Sequence, residues 1–358
     1  MEITALEEKH GSFYAPSFQI KVNGKDLLSS EKLEIATVQI DNTLQGADQF
    51  SFTINGGFDF ALREFSHLEL FKIGAPVEIR MGYGDAKKLQ LMLRGFITSV
   101  KTSFPSGGLP NLVVSGYDSS YCMTKGKKSR NWEDKKDSDV AALVAGEHNL
   151  KVTVQDSQVV HPKIEQNQET DRAFLEKLAK RNKFELYSFS DELYFREPAS
   201  KESEVVTLEW GKGLVSFSPE LNIAEQVSQV EVRGWNVNEK KAIVGTAKKG
   251  DELGRDPGRK SGSELLETLC KSAVLRVRNP VYSQQEADRI AKAILKTRSE
   301  DLVKGSGESI GLPEIRADRN IKLLGLGKLF SKTYYVEQTT HTVSTSGYTT
   351  SFRVKETT

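Results

Sequence analysis

The sequence predicts a mainly β fold of the α+β class, in which two barrel- or sandwich-like β regions flank a small α/β region. Three observations predict it. Short segments alternate apolar and polar residues between Gly, Asn and Pro turns through the first 117 residues, and the pattern returns after Val205. Helical apolar spacing is confined to the middle of the chain and to one later segment. The 358 residues, at about 150 per domain, allow two or three domains.

The elements follow in order. Phe18, Ile20 and Val22 alternate with polar residues and stop at the turn dipeptide Asn23-Gly24. Gln39–Asp41 and Phe50–Ile54 follow, the second closed by Asn55-Gly56-Gly57. Leu62–Leu70 reads as a short helix or turn. Val77, Ile79, Met81 and Tyr83 alternate before Gly84, as do Leu89, Leu91 and Leu93. Ile97–Phe104 and Leu112–Tyr117 read as a hairpin around Pro105-Ser106-Gly107-Gly108.

In the middle, Ser138 is placed to cap a helix running to Asn149, with Val140, Leu143 and Val144 on one face. Val152 and Val154 read as a strand. Thr170 caps a second helix with the stripe Phe174, Leu175, Leu178 and Ala179. Glu185–Phe189 and Leu193–Phe195 read as a hairpin. Val205–Leu208, Leu214–Phe217 and Val227–Gly234 resume the β pattern. Lys248–Lys260 reads as an exposed polar loop. Ser283 and Glu286 form a capping pattern before the spaced Ala287, Ile290, Ala291 and Ile294. Gly305-Ser306-Gly307 reads as a break, and Tyr334–Ser344 with Tyr348–Val354 as a final hairpin placing Tyr348, Phe352 and Val354 on one face. The two β regions look alike. Each closes on a hairpin, and Ala36–Ile40 with Phe50–Ile54 match Leu214–Phe217 with Val227–Val232 in order.

Composition removes competitors. Fifty Lys+Arg against 49 Asp+Glu, with 37% hydrophobic residues, argue against a disordered chain and against a bulk electrostatic nucleic-acid binder. Cys122 and Cys270 cannot make a disulfide framework or a Cys₄ zinc site, and read as reduced, partly buried thiols. The acidic N-terminus lacks the apolar core of a secretory signal, and the most apolar stretch, Ile321–Phe330, is short and carries Lys322 and Lys328. A cytoplasmic, reduced protein without membrane insertion is expected.

Chemical motifs are sparse. His10, His67, His148, His161 and His341 show no metal-ligand spacing, and His341 reads as a satisfied or solvated strand histidine. There is no G-x-S-x-G elbow; Gly305–Gly311 and Gly325–Lys328 read as turns rather than nucleotide loops. Sequence places no glycosidase-like carboxylate pair. Lys125–Arg130 with Lys135 and Lys136 reads as a solvated loop between domains, with docking to an acidic partner as the sharper alternative. Trp132, Trp210 and Trp235 are too scattered for an aromatic platform. No catalytic, cofactor-binding or metal-binding residue is assigned, and no cofactor is expected.

The order of motifs carries a resemblance: Val114–Asp118, Asp137–Ala145, Gln166–Asn182, Leu193–Arg196, Tyr334–His341 and Gly347–Phe352. Over nearly the whole chain it resembles the phage late control protein D family, the central baseplate hubs of contractile tails, and is similar to the hub part of VgrG. The resemblance implies two tube-protein-like β-barrels per chain, at 1–117 and at 205–248 with 317–358. It implies a peripheral α/β domain at 118–204, and leaves 249–316 as a loop-and-helix insertion. It further implies a structural, non-enzymatic homotrimer with pseudo-sixfold symmetry, joining a hexameric inner tube protein to a trimeric spike and to other baseplate proteins. Because the chain stops at Thr358, the spike is expected to be a separate polypeptide. Assembly into a phage-tail-like particle after synthesis in a bacterial cytoplasm is expected, without nucleic-acid sequence recognition. Two alternatives stand beside it: a peptidoglycan-acting tail hydrolase, and a glycan- or receptor-binding tail component.

Overall fold

A computed structural model describes residues 1–236, 240–252, 260–270, 272–278, 281 and 283–357. Helix α1 (Ile3–Lys9) is followed by β1 (Pro16–Val22), β2 (Lys25–Asp26), β3 (Glu34–Thr43), β4 (Gln49–Asn55), β5 (Phe58–Asp59), β6 (Glu64–Phe65), β7 (Pro76–Tyr83), β8 (Gln90–Ser103) and β9 (Asn111–Asp118). These strands form the antiparallel order β2-β1-β7-β8-β9-β4-β3, with β5 and β6 as a separate small hairpin. Period-two alternation puts Ile20, Val38, Ile40, Phe50, Phe52, Ile79, Leu93 and Val114 into one core. Each such side chain stabilises the fold by about 1.5–3 kcal/mol before entropy is counted. Leu62–Leu70, expected as one helix or turn, is split between β6 and a single turn at Leu68–Leu70.

The middle of the chain is α/β: β10 (Lys128–Lys136), α2 (Asp137–Glu147), β11 (Lys151–Val154), β12 (Val160–Glu169), α3 (Asp171–Asn182), β13 (Glu185–Phe189) and β14 (Glu192–Arg196). These elements lie where the spacing predicts, except β10 and β12, which are strands it does not predict. The helices share one cluster containing Val140, Val144, Phe174, Leu175, Leu178, Leu193 and Phe195, but Leu143, expected on the same α2 face, is exposed to solvent. Thr170 caps α3, its hydroxyl accepting from the Ala173 N–H. The α2 cap is not Ser138 but Lys136, where Asp139 reaches back to the Lys136 N–H and Ser138 is buried against Ser157.

Next come β15 (Glu204–Trp210), β16 (Gly213–Leu221), β17 (Gln229–Asn236), β18 (Lys241–Lys248), α4 (Gly262–Leu269), β19 (Val274–Arg278), α5 (Gln284–Glu300), β20 (Val303–Ile310), β21 (Asn320–Leu324), α6 (Gly327–Phe330), β22 (Lys332–Ser344) and β23 (Gly347–Glu356). Six of them close a barrel in the order β15-β21-β22-β23-β20-β16 and back to β15. The expected boundaries shift here. β17 and β18, within the 205–248 that the resemblance places in the second barrel, instead pair with β19 in their own sheet beneath α5, with a separate core of Val230, Val232, Ala247, Ala287, Ala291 and Leu295. β20, assigned to the insertion, is a barrel strand. Its glycines masked it: the Phe217 ring lies where a Cβ of Gly305 would sit, and the Phe352 ring lies over Gly307. Of the polar loop Lys248–Lys260, residues 253–259 lie outside the described residues.

Residues 1–13 also belong elsewhere than their number suggests. Ile3 and Leu6 pack in the second core, the Met1 amino group donates to the Val205 carbonyl at 2.9 Å, and the Thr207 N–H donates to the Met1 carbonyl at 2.9 Å.

A five-strand unit occurs twice. β7-β8-β9-β4-β3 and β21-β22-β23-β20-β16 have the same spatial order, the same chain order and antiparallel pairing throughout. Two β-bulges coincide as well. Ala36 in β3 stands where Val215 stands in β16, and Thr98 in β8 where Glu337 stands in β22. The counterpart of β4 is therefore β20, not Val227–Val232, while Ala36–Ile40 with Leu214–Phe217 stands. The sixth strands differ: β1 is antiparallel to β7, and β15 is parallel to β21. The two units join where Gln338–Ser344 of β22 pairs antiparallel with β3.

Candidate functional surface

The seam between β22 and β3 has two faces. On the inner one lie Val38, Ile40, His341 and Val343, all buried. The outer one carries Thr37, Gln39 and Asp41 of β3 beside Gln338, Thr340 and Thr342 of β22. Thr340 donates to Asp41 across the seam at 2.6 Å. Directly opposed residues share a face, so one polar row runs from Ser99 through Ser115, Ser51, Gln39 and Thr342 to Thr349. A second row, Thr340, Ser351, Glu308 and Ser216, lines a shallow groove on the same side. The result is a polar sheet surface of hydroxyl and amide side chains, with the carboxylates Asp41 and Glu308 among them, that crosses both units. Such a surface stays hydrated and offers no apolar patch for adhesion.

Beneath it the polar groups are structural ties. His341 is wholly buried; its Nε2–H donates to the Ile315 carbonyl at 2.8 Å, and Nδ1 faces the Tyr348 and Thr350 hydroxyls at 3.0 and 3.1 Å. Burial holds its pKa down to about 4, so the ring is neutral. Asp48 and Asp118 are both buried, and both carboxyls are pushed up. Burial is the main cause, and for Asp48 the charge of Asp118 adds to it. They bond only inward: Asp48 accepts from Asn42 and the Thr43 N–H, and Asp118 from Ser120 and from Ser188 of β13. A glycosidase pair has raised carboxyls too, but needs an opening for sugar and water; both of these side chains are enclosed. A third tie is Asp318, held by Arg196 at 2.5 Å, with the one proton of the Tyr335 hydroxyl shared between Glu185 at 2.5 Å and Asp318 at 3.0 Å. It fastens the α/β domain to the barrel.

The residues singled out by sequence are dispersed. The basic run is a loop only at Lys125–Lys127; from Lys128 to Lys136 it is β10, paired with β12. Three of its six cations are answered internally, Lys128 and Arg130 by Asp171 at 2.7 and 2.9 Å and Lys136 by Asp156, while Lys125 lies over the Tyr121 ring. Burial raises the Asp171 carboxyl, but hydrogen bonds from Lys128, Gln166 and His148 and the Arg130 charge outweigh it and hold it at about 2. His10 bonds Glu314 at 2.8 Å and His148 bonds Asp171 at 2.8 Å. Among the described residues, no group of three His, Cys, Asp or Glu side chains is placed to hold a metal ion. Trp132 stacks on Phe174 at 5.3 Å, while Trp210 and Trp235 are exposed on strands of different sheets. Both cysteines are exposed, not partly buried. Among the described residues, no helix is long and apolar enough to cross a membrane.

The family model described as the Alg8 N-terminal domain matches residues 14–345. The chain belongs to that family. No curated protein matches it in sequence. Among solved structures it is similar to a 43 kDa tail protein of prophage MuSo2 from Shewanella oneidensis, with TM-score 0.72 and 14% identity over 95% of this chain and 98% of that one. It is similar to a tail protein from Neisseria meningitidis MC58, with TM-score 0.70 and 16% identity over 96% and 97% of the two chains. It is also similar to an E. coli component of the type VI secretion system, itself described as structurally similar to bacteriophage T4 tail proteins gp27 and gp5. There the TM-score is 0.55, with 12% identity over 94% of this chain and 76% of that one. The fold is that of phage tail proteins and of their type VI secretion relatives.

Proposed function

We propose that this protein is the central hub of a contractile, phage-tail-like injection machine, of the late control protein D type: a homotrimer that adapts a hexameric inner tube to a trimeric spike. The observation that carries the reading is the recurrence of the five-strand unit with both bulges in place. A chain with two like units gives six when three copies close, which is what a threefold-to-sixfold adaptor requires. The barrel, its partner unit and the polar rows then form a ring whose hydrated inner wall is the Ser/Thr/Gln surface. The α/β domain sits outside it, and the β17–β19 sheet with α5 is a further appendage. The role is mechanical, passing the thrust of sheath contraction to the spike; it uses no cofactor and no catalytic residue. Synthesis in a bacterial cytoplasm and assembly into the particle's baseplate follow from that role.

Native mass measurement of the purified protein, alone and co-expressed with candidate tube and spike proteins encoded beside it, tests this. A trimer, or a 3:3 complex with the spike candidate, is expected. A strict monomer that joins neither partner overturns the reading. Turnover of purified cell walls would favour the hydrolase alternative, and glycan affinity the receptor-binding one. The enclosed Asp48–Asp118 pair and the separated tryptophans give neither a specific foothold.

A further inference from the structure

We propose that the open edge of β16 receives the second half of β8 from another copy of this chain, repeating between subunits the seam that β22 and β3 make within one. The proposal rests on the trimeric reading above and names the contact that would close the ring.

The five-strand units make β8 equivalent to β22 and β3 equivalent to β16. Within the chain, β22 uses its length twice: Lys332–Tyr335 pairs with β21, and past the bulge Gln338–Ser344 pairs with β3. β8 uses only the first half in this way. Gln90–Phe96 pairs with β7, while past its own bulge at Thr98 the segment Ser99–Ser103 pairs, among the described residues, with β9 alone. β16 is open in the complementary sense. It meets β15 only at Gly213 and Leu214, and from Ser216 to Leu221 it pairs, among the described residues, with β20 alone. One chain thus carries the knob and the slot of the same joint, unmatched at opposite ends. Open edges of this length are aggregation hazards that natural proteins cover.

The coincident bulges fix the register. Counted from them, the internal pairs Thr339↔Asn42 and Thr340↔Asp41 translate to Val100↔Leu221 and Lys101↔Glu220 between copies. Where the internal seam has a hydroxyl donating to a carboxylate, the translated one has an ammonium opposite a carboxylate. Lys101 and Glu220 are both exposed, and Lys101 makes no ion pair among the described residues. Val100 is half-buried, and Leu221 is an exposed apolar side chain on the rim of the open edge. Opposite charges directly across a ladder attract and like charges repel, so the register is favoured over a slip by one residue, which would also turn every side chain to the wrong face. Pro219 stands opposite Thr102 in this register and removes one N–H from β16, so at most one rung is lost; proline belongs on an edge strand for this reason. The contact is heterologous, β8 of one copy on β16 of the next, so it runs around a ring instead of pairing two copies symmetrically.

Cysteine cross-linking of the full-length chain tests it. In a C122S/C270S background, K101C and E220C are made separately. Mixed and oxidised, they are expected to give disulfide-linked dimers, while each alone gives none. The double variant K101C/E220C is expected to give a covalent trimer. K101E should weaken the native-mass trimer about fivefold, and K101E/E220K should restore it. A trimer that forms without these cross-links overturns the pairing and leaves the trimeric reading standing. A chain that stays monomeric alone and with tube and spike candidates overturns both.

Discussion

Thr340 donates a 2.6 Å hydrogen bond to Asp41, 299 residues away in sequence, at the centre of the seam that fuses the two five-strand units. Gln39 also donates to Asp41, so the carboxylate is held from both strands of the joint. T340V removes the hydroxyl at constant shape and is expected to cost about 1 kcal/mol. The effect should be local. Amide exchange should speed up in Gln338–Ser344 and in β3 while the helices of the α/β domain keep their protection.

His341 gives the fold an acid limit. The native site holds the ring neutral with a pKa of about 4, against the ordinary 6.5. A depressed histidine pKa means that the unfolded chain takes up the proton first. Stability is then complete above about pH 6.5 and falls as pH drops from there toward 4, by at most about 1.4 kcal/mol per unit. H341Q retains an amide donor for the Ile315 carbonyl and an acceptor for Tyr348 and should flatten that slope. Denaturant midpoints measured from pH 7.5 to 4.5 check both curves; an unchanged slope in H341Q would contradict the assignment.

Asp48 and Asp118 act in the opposite sense. Their carboxyls are pushed up, mainly by burial, so the neutral forms are favoured in the fold. Their contribution is most favourable below the ordinary carboxylate range and is lost as pH rises through the raised values. D118N should leave the site satisfied: its amide can donate to the Ser188 hydroxyl, whose own proton then turns to the Ser120 oxygen 2.9 Å away. The variant is expected to match or exceed the parent at pH 7 by about 1 kcal/mol, with the advantage shrinking toward pH 4. D118A, which leaves the Ser120 N–H and the Ser120 hydroxyl proton without their acceptor, should be destabilised by about 2 kcal/mol. Parallel thermal melts at the two pH values separate these outcomes.

Much of this architecture was legible because alternation survives where one strand face is buried and the other wet. β3, β4 and the β22–β23 hairpin read correctly for that reason, and Thr170 was legible because a cap is a local contact. β20 was not. Its inward positions facing Phe217 and Phe352 are glycines, and the apolar surface that covers them comes from β16 and β23, far away in sequence. β17 and β18 alternate as well as any barrel strand, and only the packing of α5 on their sheet assigns them elsewhere. The basic run looked solvated because its counter-charges Asp171 and Glu147 lie on other elements. The polar rows of the candidate surface were invisible for a related reason. Each is built from single Ser, Thr, Gln or Glu residues on successive strands, and no one strand contains the row.

Gly245 supplies the sharpest test that the β17–β19 appendage is a unit of its own. It lies on β18, and a Cβ built there would fall 2.1 Å from the Ala287 backbone carbon and 2.5 Å from the Asp288 nitrogen. Backbone cannot step aside as a side-chain tip does, so α5 must lift off the sheet in G245A, at a cost of about 3 kcal/mol. The helix is held there by Ala287, Ala291 and Leu295 packed on Val230, Val232 and Ala247, none of which belongs to the barrel core. G245A is therefore expected to open Val227–Glu300 to limited proteolysis while the barrel and the α/β domain keep their melting transition. Loss of the whole chain's transition at the same temperature would show instead that the barrel depends on its appendage, which also touches it through the Lys355–Glu300 ion pair and Leu265.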